Sequence, residues 1–214
     1  MEEKISKIRK WLGTGSIDIF GLPMSGKDTV GVRLAETLGA RFLSSGMIIR
    51  TMEKENKEHY TDEGHLLPTD LFYEWILPYF KREDLKGSPL VLSSVGRWSG
   101  EEERVMEAAE AAGHPIKAVV LLNVSEEEVL ERWREAKELG KRDLAHTMER
   151  RLDDADEETF QTRISEFNTK TVPVIRRYQD LGMLVTVSGG ADRETVFRDV
   201  VDELYEFSLS QGEN

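Results

Sequence analysis

A three-layer α/β fold, with a five-stranded parallel sheet and helices on both faces, is predicted by two features of the sequence. Short apolar stretches alternate with helical patterns, and a glycine-bounded loop joins the first stretch to a helix. Strands are expected at Ile17-Asp18-Ile19-Phe20, Ala40 to Ser44, Pro89 to Ser94, Ile116 to Val124 and Met183 to Val187. The third is apolar without alternation, as a strand covered on both faces should be, and the fourth is the longest apolar run in the chain.

The loop carries the first functional signal: Gly21-Leu22-Pro23-Met24-Ser25-Gly26-Lys27-Asp28-Thr29, followed by Val30, Leu34 and Leu38 at helical spacing. A loop bounded by glycines can curl its backbone N–H groups around an anion, while the following helix aims its positive N-terminal end at the same point. Lys27 adds a mobile ammonium for the outer phosphates. The usual pattern has Ser or Thr directly after the lysine; here Asp28 stands between Lys27 and Thr29.

With 214 residues the chain can bury one large core, and a single domain is expected. A net charge of −12 repels polyanions, which argues against a nucleic acid polymer but leaves room for a small phosphorylated ligand held by a few local cations. No cysteine occurs, which excludes disulfides, thiolate catalysis and cysteine zinc sites. His59, His65, His114 and His146 are scattered without ligand spacing. Nothing reads as a signal core or a membrane span, so a cytoplasmic monomer with no membrane partner is expected.

In chain order, Ile5, Ile8, Trp11 and Leu12 form a helical stripe ended by Gly13, read as a packing extension. Met47, Ile48, Arg50 and Met52 mark a helix, and the polar run from Glu53 to Glu63 reads as solvated surface. Pro68-Thr69-Asp70 opens a helix that buries Leu71, Phe72, Trp75 and Ile76 until Pro78 disturbs it. Ser99 with Glu102, and Ser125 with Glu128, read as capping boxes for helices ending at Gly113 and Gly140. Lys141 to Arg150 suits a cover better than core. A long helix from Asp156 is interrupted at Pro173 and stops at Gly182; Ser188-Gly189-Gly190 is a turn, and Val196, Val200 and Leu204 mark the last helix.

The order of these motifs resembles the adenylate kinase-like nucleoside monophosphate kinases in their short-lid form, from about Ile17 to Phe207. The resemblance implies a P-loop fold with core segments 16–44, 88–137 and 160–209, a small helical acceptor-binding arm at about 45–80, a short lid at about 138–156 and an added N-terminal helix over 1–12. It implies that Gly21, Pro23, Ser25, Gly26, Lys27, Asp28 and Thr29 bind ATP, with Arg132 and Gly190 beside the donor. Ser45, Gly46 and Arg50 of Ser44-Ser45-Gly46-Met47-Ile48-Ile49-Arg50 would bind the acceptor, and Leu67 of Gly64-His65-Leu66-Leu67-Pro68 would line its base pocket. Arg97 of Leu92-Ser93-Ser94-Val95-Gly96-Arg97 would grip the acceptor phosphate, with Glu101 near the acceptor base. Lys27, Arg97, Arg132, Arg151 and Arg163 carry over as the catalytic cations. Arginine suits that task because its planar fork grips phosphate oxygens twice and keeps its proton.

The implied reaction is transfer of the γ-phosphoryl group of ATP, with Mg²⁺, to a nucleoside monophosphate, AMP being the first candidate. CMP, dCMP, GMP or a non-nucleotide metabolite remain as acceptors, as does a module that binds ATP without turnover. Several positions depart from the family. Met24 and Asp28 stand where it has Gly, Met47 where it has Asp, and Ala136 where it has a second arginine. Ser93 replaces the aspartate that holds magnesium through its waters, and Asp28 is expected to stand in as the metal carboxylate. Glu101 replaces a glutamine that reads adenine; a carboxylate can accept from an exocyclic amine but cannot donate.

Overall fold

The sheet consists of β1 (Ser16–Gly21), β2 (Arg41–Ser44), β3 (Leu90–Ser93), β4 (Ile116–Asn123) and β5 (Leu184–Ser188), in spatial order β2-β3-β1-β4-β5 and parallel throughout. This computed structural model describes residues 1–56, 60–61, 64–138 and 156–211. Each expected strand forms, within one residue of its expected bounds. The chain builds β2 and β3 on one side of β1 and then crosses to build β4 and β5 on the other, so the loops leaving the strand ends diverge around β1 and open a crevice there.

Alternation along β1 divides the core. Ile17 and Ile19 join the layer made by α1 (Glu2–Leu12), α2 (Lys27–Leu38) and α9 (Arg193–Ser210), while Phe20 joins the layer made by α5 (Glu101–Ala111) and α8 (Val172–Asp180). A fully buried aliphatic or aromatic side chain of this kind contributes roughly 1.5–3 kcal/mol, and these residues are at or near zero exposure. The N-terminal helix is a packing extension as expected: Ile8 and Leu12 are fully buried, and Trp11 meets Phe207 of α9 edge-on at 6.0 Å. A third cluster joins α6 (Glu126–Glu138) to α7 (Glu157–Glu166), where Trp133 stacks on Phe160 at 5.4 Å. The arm comprises α3 (Ser45–Asn56), α4 (Thr69–Trp75) and a 3₁₀ turn, Leu77–Lys81, that accommodates Pro78.

Two local readings change. Glu53 is buried, not solvated: its carboxylate accepts the N–H groups of Tyr60 and Thr61 at 2.8 and 2.9 Å and the Thr61 hydroxyl, closing the arm on itself. The Ser99–Glu102 capping box does not form. Gly100 caps α5 in the left-handed conformation, Glu102 accepts from Gly100 N at 2.7 Å, and Ser99 is exposed. The long helix is broken before Pro173 by a π turn, Phe167–Thr171, because a proline cannot donate to the carbonyl four residues back. The lid segment and its Lys141 to Arg150 cover fall outside the described residues.

Candidate active site

The carboxyl end of β1 runs directly into the glycine-rich loop. Gly21 has to be a glycine because a Cβ there would lie 2.6 Å from Ser25 Oγ and 3.0 Å from the Leu122 carbonyl oxygen, so the loop folds back against its own strand. Gly26, at φ 89°, turns the chain into α2. Met24 also takes a left-handed conformation, φ 62°, where the family resemblance expects glycine; a side chain there costs on the order of 1–2 kcal/mol. Lys27 opens α2 nearly buried, its Nζ 3.5 Å from the Leu22 carbonyl, so the ammonium lies across the loop it serves.

That loop forms one wall of a cleft whose lining includes Gly21, Pro23, Lys27 and Asp28. The opposite wall comes from the arm and from the loop after β3, with Ser45, Gly46, Arg50, Leu67, Arg97 and Glu101. Arg163 of α7 closes the side. The expected phosphate-loop lysine and three of the expected guanidinium groups therefore share one space. Gly46 leaves room for Arg50, whose Nη1 would be 3.1 Å from a Cβ at that position. Ser45 Oγ donates to the Ser94 carbonyl at 2.7 Å, and Arg97 Nε donates to the same oxygen at 3.3 Å.

Ser93 and Asp28 meet at the base of the cleft, where the Ser93 hydroxyl donates to Asp28 Oδ1 at 2.5 Å. The end of β3 thus carries a hydroxyl in place of the family's carboxylate, and the first turn of α2 brings a carboxylate to within hydrogen-bond reach of it. The donor set is oxygen, as a hard divalent cation requires. Among the described residues no group of three or more His, Asp or Glu side chains could hold a metal by itself.

The comparisons with known proteins bear on the family and the fold. A family model described as an AAA domain matches residues 17–162. The adenylate kinase of Bacteroides fragilis is 30% identical over 193 residues, covering 86% of this chain and 95% of the relative. The chain belongs to the adenylate kinase-like P-loop kinases. The adenylate kinase of Kocuria rhizophila is 29% identical over 177 residues, 80% of this chain and 88% of the relative. Among solved structures, a gluconokinase from Sinorhizobium meliloti superposes with a TM-score of 0.59 at 20% identity, covering 92% of this chain and 95% of that one, which bears on the fold alone.

Other expected site residues of this P-loop kinase sit differently. Arg132 lies outside the cleft lining, behind the glycine-rich loop: it donates to the Gly189 carbonyl at 2.8 Å and the Glu128 carboxylate at 2.5 Å, and approaches the Met24 and Ser25 carbonyls at 3.4 and 3.5 Å. Gly190 abuts the Glu128 carboxylate, Thr29 is half-buried in α2, and the buried Ser25 hydroxyl has no hydrogen-bond partner among the described residues. Arg151 falls outside the described residues.

Glu101 lines the cleft, but its oxygens are committed. Oε1 accepts from Thr69 Oγ1 at 2.8 Å, and Oε2 from the N–H groups of Arg97 and Trp98 at 2.8 and 3.0 Å. Burial raises its pKa, and those same hydrogen bonds pull it back. These bonds fasten the loop carrying Arg97 to the first residue of α4.

The sequence reading overlooked a second group of cleft residues. Phe167 and Thr171 follow Arg163 by one and two turns and line the same wall. Trp98, directly after Arg97, lines it too, with Lys170 Nζ 3.9 Å above its ring. Lys170 is paired at 2.5 Å with Glu166, which also accepts from Leu66 N at 3.2 Å, so α7 and the π turn hold both the arm and the loop after β3. The aromatic residue beside Arg97 was the visible signal; the π turn had none.

Proposed function

We propose that this kinase transfers the γ-phosphoryl group of ATP to a nucleoside monophosphate, AMP being the first acceptor to test. The observation that carries the reading is the convergence of Lys27 with Arg50, Arg97 and Arg163 on one cleft. Phosphoryl transfer asks little covalent chemistry of the protein; rate comes from alignment and from offsetting charge on the migrating group. In this reading the loop amides and Lys27 hold the donor phosphates, Arg50 and Arg97 hold the acceptor phosphate, and Arg163 reaches the transferring group. An arginine at the transition state contributes about 10³ to 10⁵ in rate.

Bound Mg²⁺, near Asp28 and Ser93, would supply charge neutralisation on the donor phosphates. Asp28 would face the ion or its waters, with Ser93 fixing the carboxylate's orientation. Closure of the arm, which meets α7 where Gly64 lies against Thr159 and Arg163, would exclude water from the cleft.

A second reading keeps the same donor site and takes a non-nucleotide acceptor. Two arginines on the acceptor side favour an acceptor that already bears a phosphate, since a bidentate guanidinium matches phosphate oxygens. A panel of AMP, CMP, dCMP, GMP and gluconate with ATP and Mg²⁺ separates the two. Transfer to a nucleoside monophosphate is expected; transfer to gluconate alone, or to none of them, overturns the proposal.

A further inference from the structure

A carboxyl group lies in the middle of β1, among residues the fold needs to be apolar. Asp18 is fully buried and in register with Leu92 of β3 and Val119 of β4. By alternation it points to the Phe20 face, under α5 and α8. A buried carboxyl is tolerated only where its oxygens find donors. Here the Val95 N–H donates, at 3.2 and 3.4 Å from the two oxygens.

The peptide that supplies this N–H joins Ser94 to Val95. Its other end, the Ser94 carbonyl, is the oxygen that accepts from Ser45 Oγ at 2.7 Å and from Arg97 Nε at 3.3 Å. In a trans peptide the N–H and C=O point in opposite directions, so this one planar group spans from the buried carboxyl to two cleft-lining side chains. Its orientation also demands a left-handed Ser94, φ 53°, a conformation disfavoured for any residue but glycine. Something must hold the peptide against flipping out of it.

We propose that Asp18 is a positioning residue for the acceptor side of the cleft: it holds the Ser94–Val95 peptide from beneath, and that peptide sets Ser45 and Arg97. This rests on reading Arg97 as a ligand of the acceptor phosphate. Hydrogen bonds made at the two ends of one peptide polarise each other, so an acceptor on the N–H strengthens the carbonyl's grip on Arg97. Arg97 on the loop and the Tyr178 hydroxyl on α8 are the ionisable groups that act on this carboxyl, and Glu102 on α5 acts on Tyr178 in turn; among the described residues the buried Tyr178 hydroxyl has no hydrogen-bond partner. Burial pushes the Asp18 pKa up to about 8, opposed by the Val95 and Ser94 N–H groups and by Arg97.

Two replacements separate positioning from bulk packing. Asp18→Asn keeps an oxygen that can accept from Val95, whereas Asp18→Leu fills the volume with no acceptor. With ATP and AMP as substrates, Asp18→Leu is expected to raise the AMP KM about 10-fold or more, leaving the ATP KM within about twofold, and Asp18→Asn to restore most of the AMP KM. A folded Asp18→Leu with wild-type AMP KM, or with both KM values raised alike, overturns the inference. Where Asp18→Leu fails to fold, wild-type NMR decides: the Val95 amide and Arg97 Nε resonances should titrate together with the Asp18 carboxyl, and resonances that do not follow it overturn the inference. If the wild-type protein transfers to none of the nucleoside monophosphates, the nucleotide reading fails while those resonances still test the coupling.

Discussion

The Ser93 hydroxyl donates to the Asp28 carboxylate at 2.5 Å, joining the end of β3 to the first turn of α2 across the floor of the cleft. A charge-assisted bond of this kind orients the carboxylate. A carboxylate beside the donor phosphates is tolerable when a cation sits between them, since two like charges about 4 Å apart cost roughly 4 kcal/mol at intermediate dielectric. Asp28→Asn is therefore expected to raise the Mg²⁺ concentration for half-maximal transfer, and Ser93→Ala to raise it about 10-fold through lost orientation. Initial rates against free Mg²⁺, with Mn²⁺ binding in the presence of ATP as a second readout, check both. An unaltered metal dependence in Asp28→Asn would remove Asp28 from that role.

Lys27 sits at the start of α2 with its ammonium folded over the glycine-rich loop. Replacing it with alanine removes a donor aimed at charge that grows during transfer, and kcat should fall by about 10² to 10³. Arg163→Ala should fall at least as far if it touches the transferring group. Circular dichroism should show both variants folded; near-normal turnover in either would contradict its assignment.

The buried Asp18 gives stability a definite slope with pH. Its folded-state pKa, about 8, lies above the ordinary carboxylate value of 3.8. Between those values the folded protein holds a proton that the unfolded chain has released, so its stability falls as pH rises through that window and levels off above about 8. Asp156 and Asp192 run the opposite way: their pKa values are depressed by hydrogen bonds from Thr159 and Thr195, so their contribution is lost as pH falls through the acid range below 3.8. Denaturant melts at a series of pH values should show greater stability near pH 5 than near pH 9, and Asp18→Asn should flatten that difference. A wild-type profile without the slope would place the Asp18 pKa near its ordinary value.

The strands were legible because burial on both faces of a parallel sheet leaves an uninterrupted apolar signature, as in Leu90-Val91-Leu92. Arg50, Arg97 and Arg163 were legible through the order of motifs along the chain, and all three reach the cleft. What could not be read depends on partners distant in sequence. Glu53 looks like one more surface acid until Tyr60 and Thr61 wrap around it. The bonds from Thr69 and two backbone N–H groups to Glu101, which tie α4 to the loop after β3, are equally invisible in the sequence. Asp18 passes for an ordinary strand position in Ile17-Asp18-Ile19-Phe20, and only the path of the Ser94–Val95 peptide above it gives it a task.

Gly64 offers a test of whether the arm must close on α7 for the acceptor to be held. At φ 83° it lies so near that helix that a Cβ would stand 2.6 Å from the Thr159 carbonyl oxygen and 2.9 Å from Arg163 Cγ. A backbone oxygen in the capped first turn of a helix cannot readily step aside, so in Gly64→Ala the arm has to retreat instead. That retreat would strain the Leu66–Glu166 bond and pull Leu67 away from the acceptor side, while the glycine-rich loop, on the other wall, is untouched. The acceptor KM should rise about 10-fold or more with ATP binding unchanged, because a misplacement of about 1 Å at a positioning contact can cost about 10² in rate. Isothermal calorimetry with ATP and steady-state kinetics with AMP measure the two halves separately. Equal losses in both would mean that the glycine supports the whole cleft and not the acceptor wall alone.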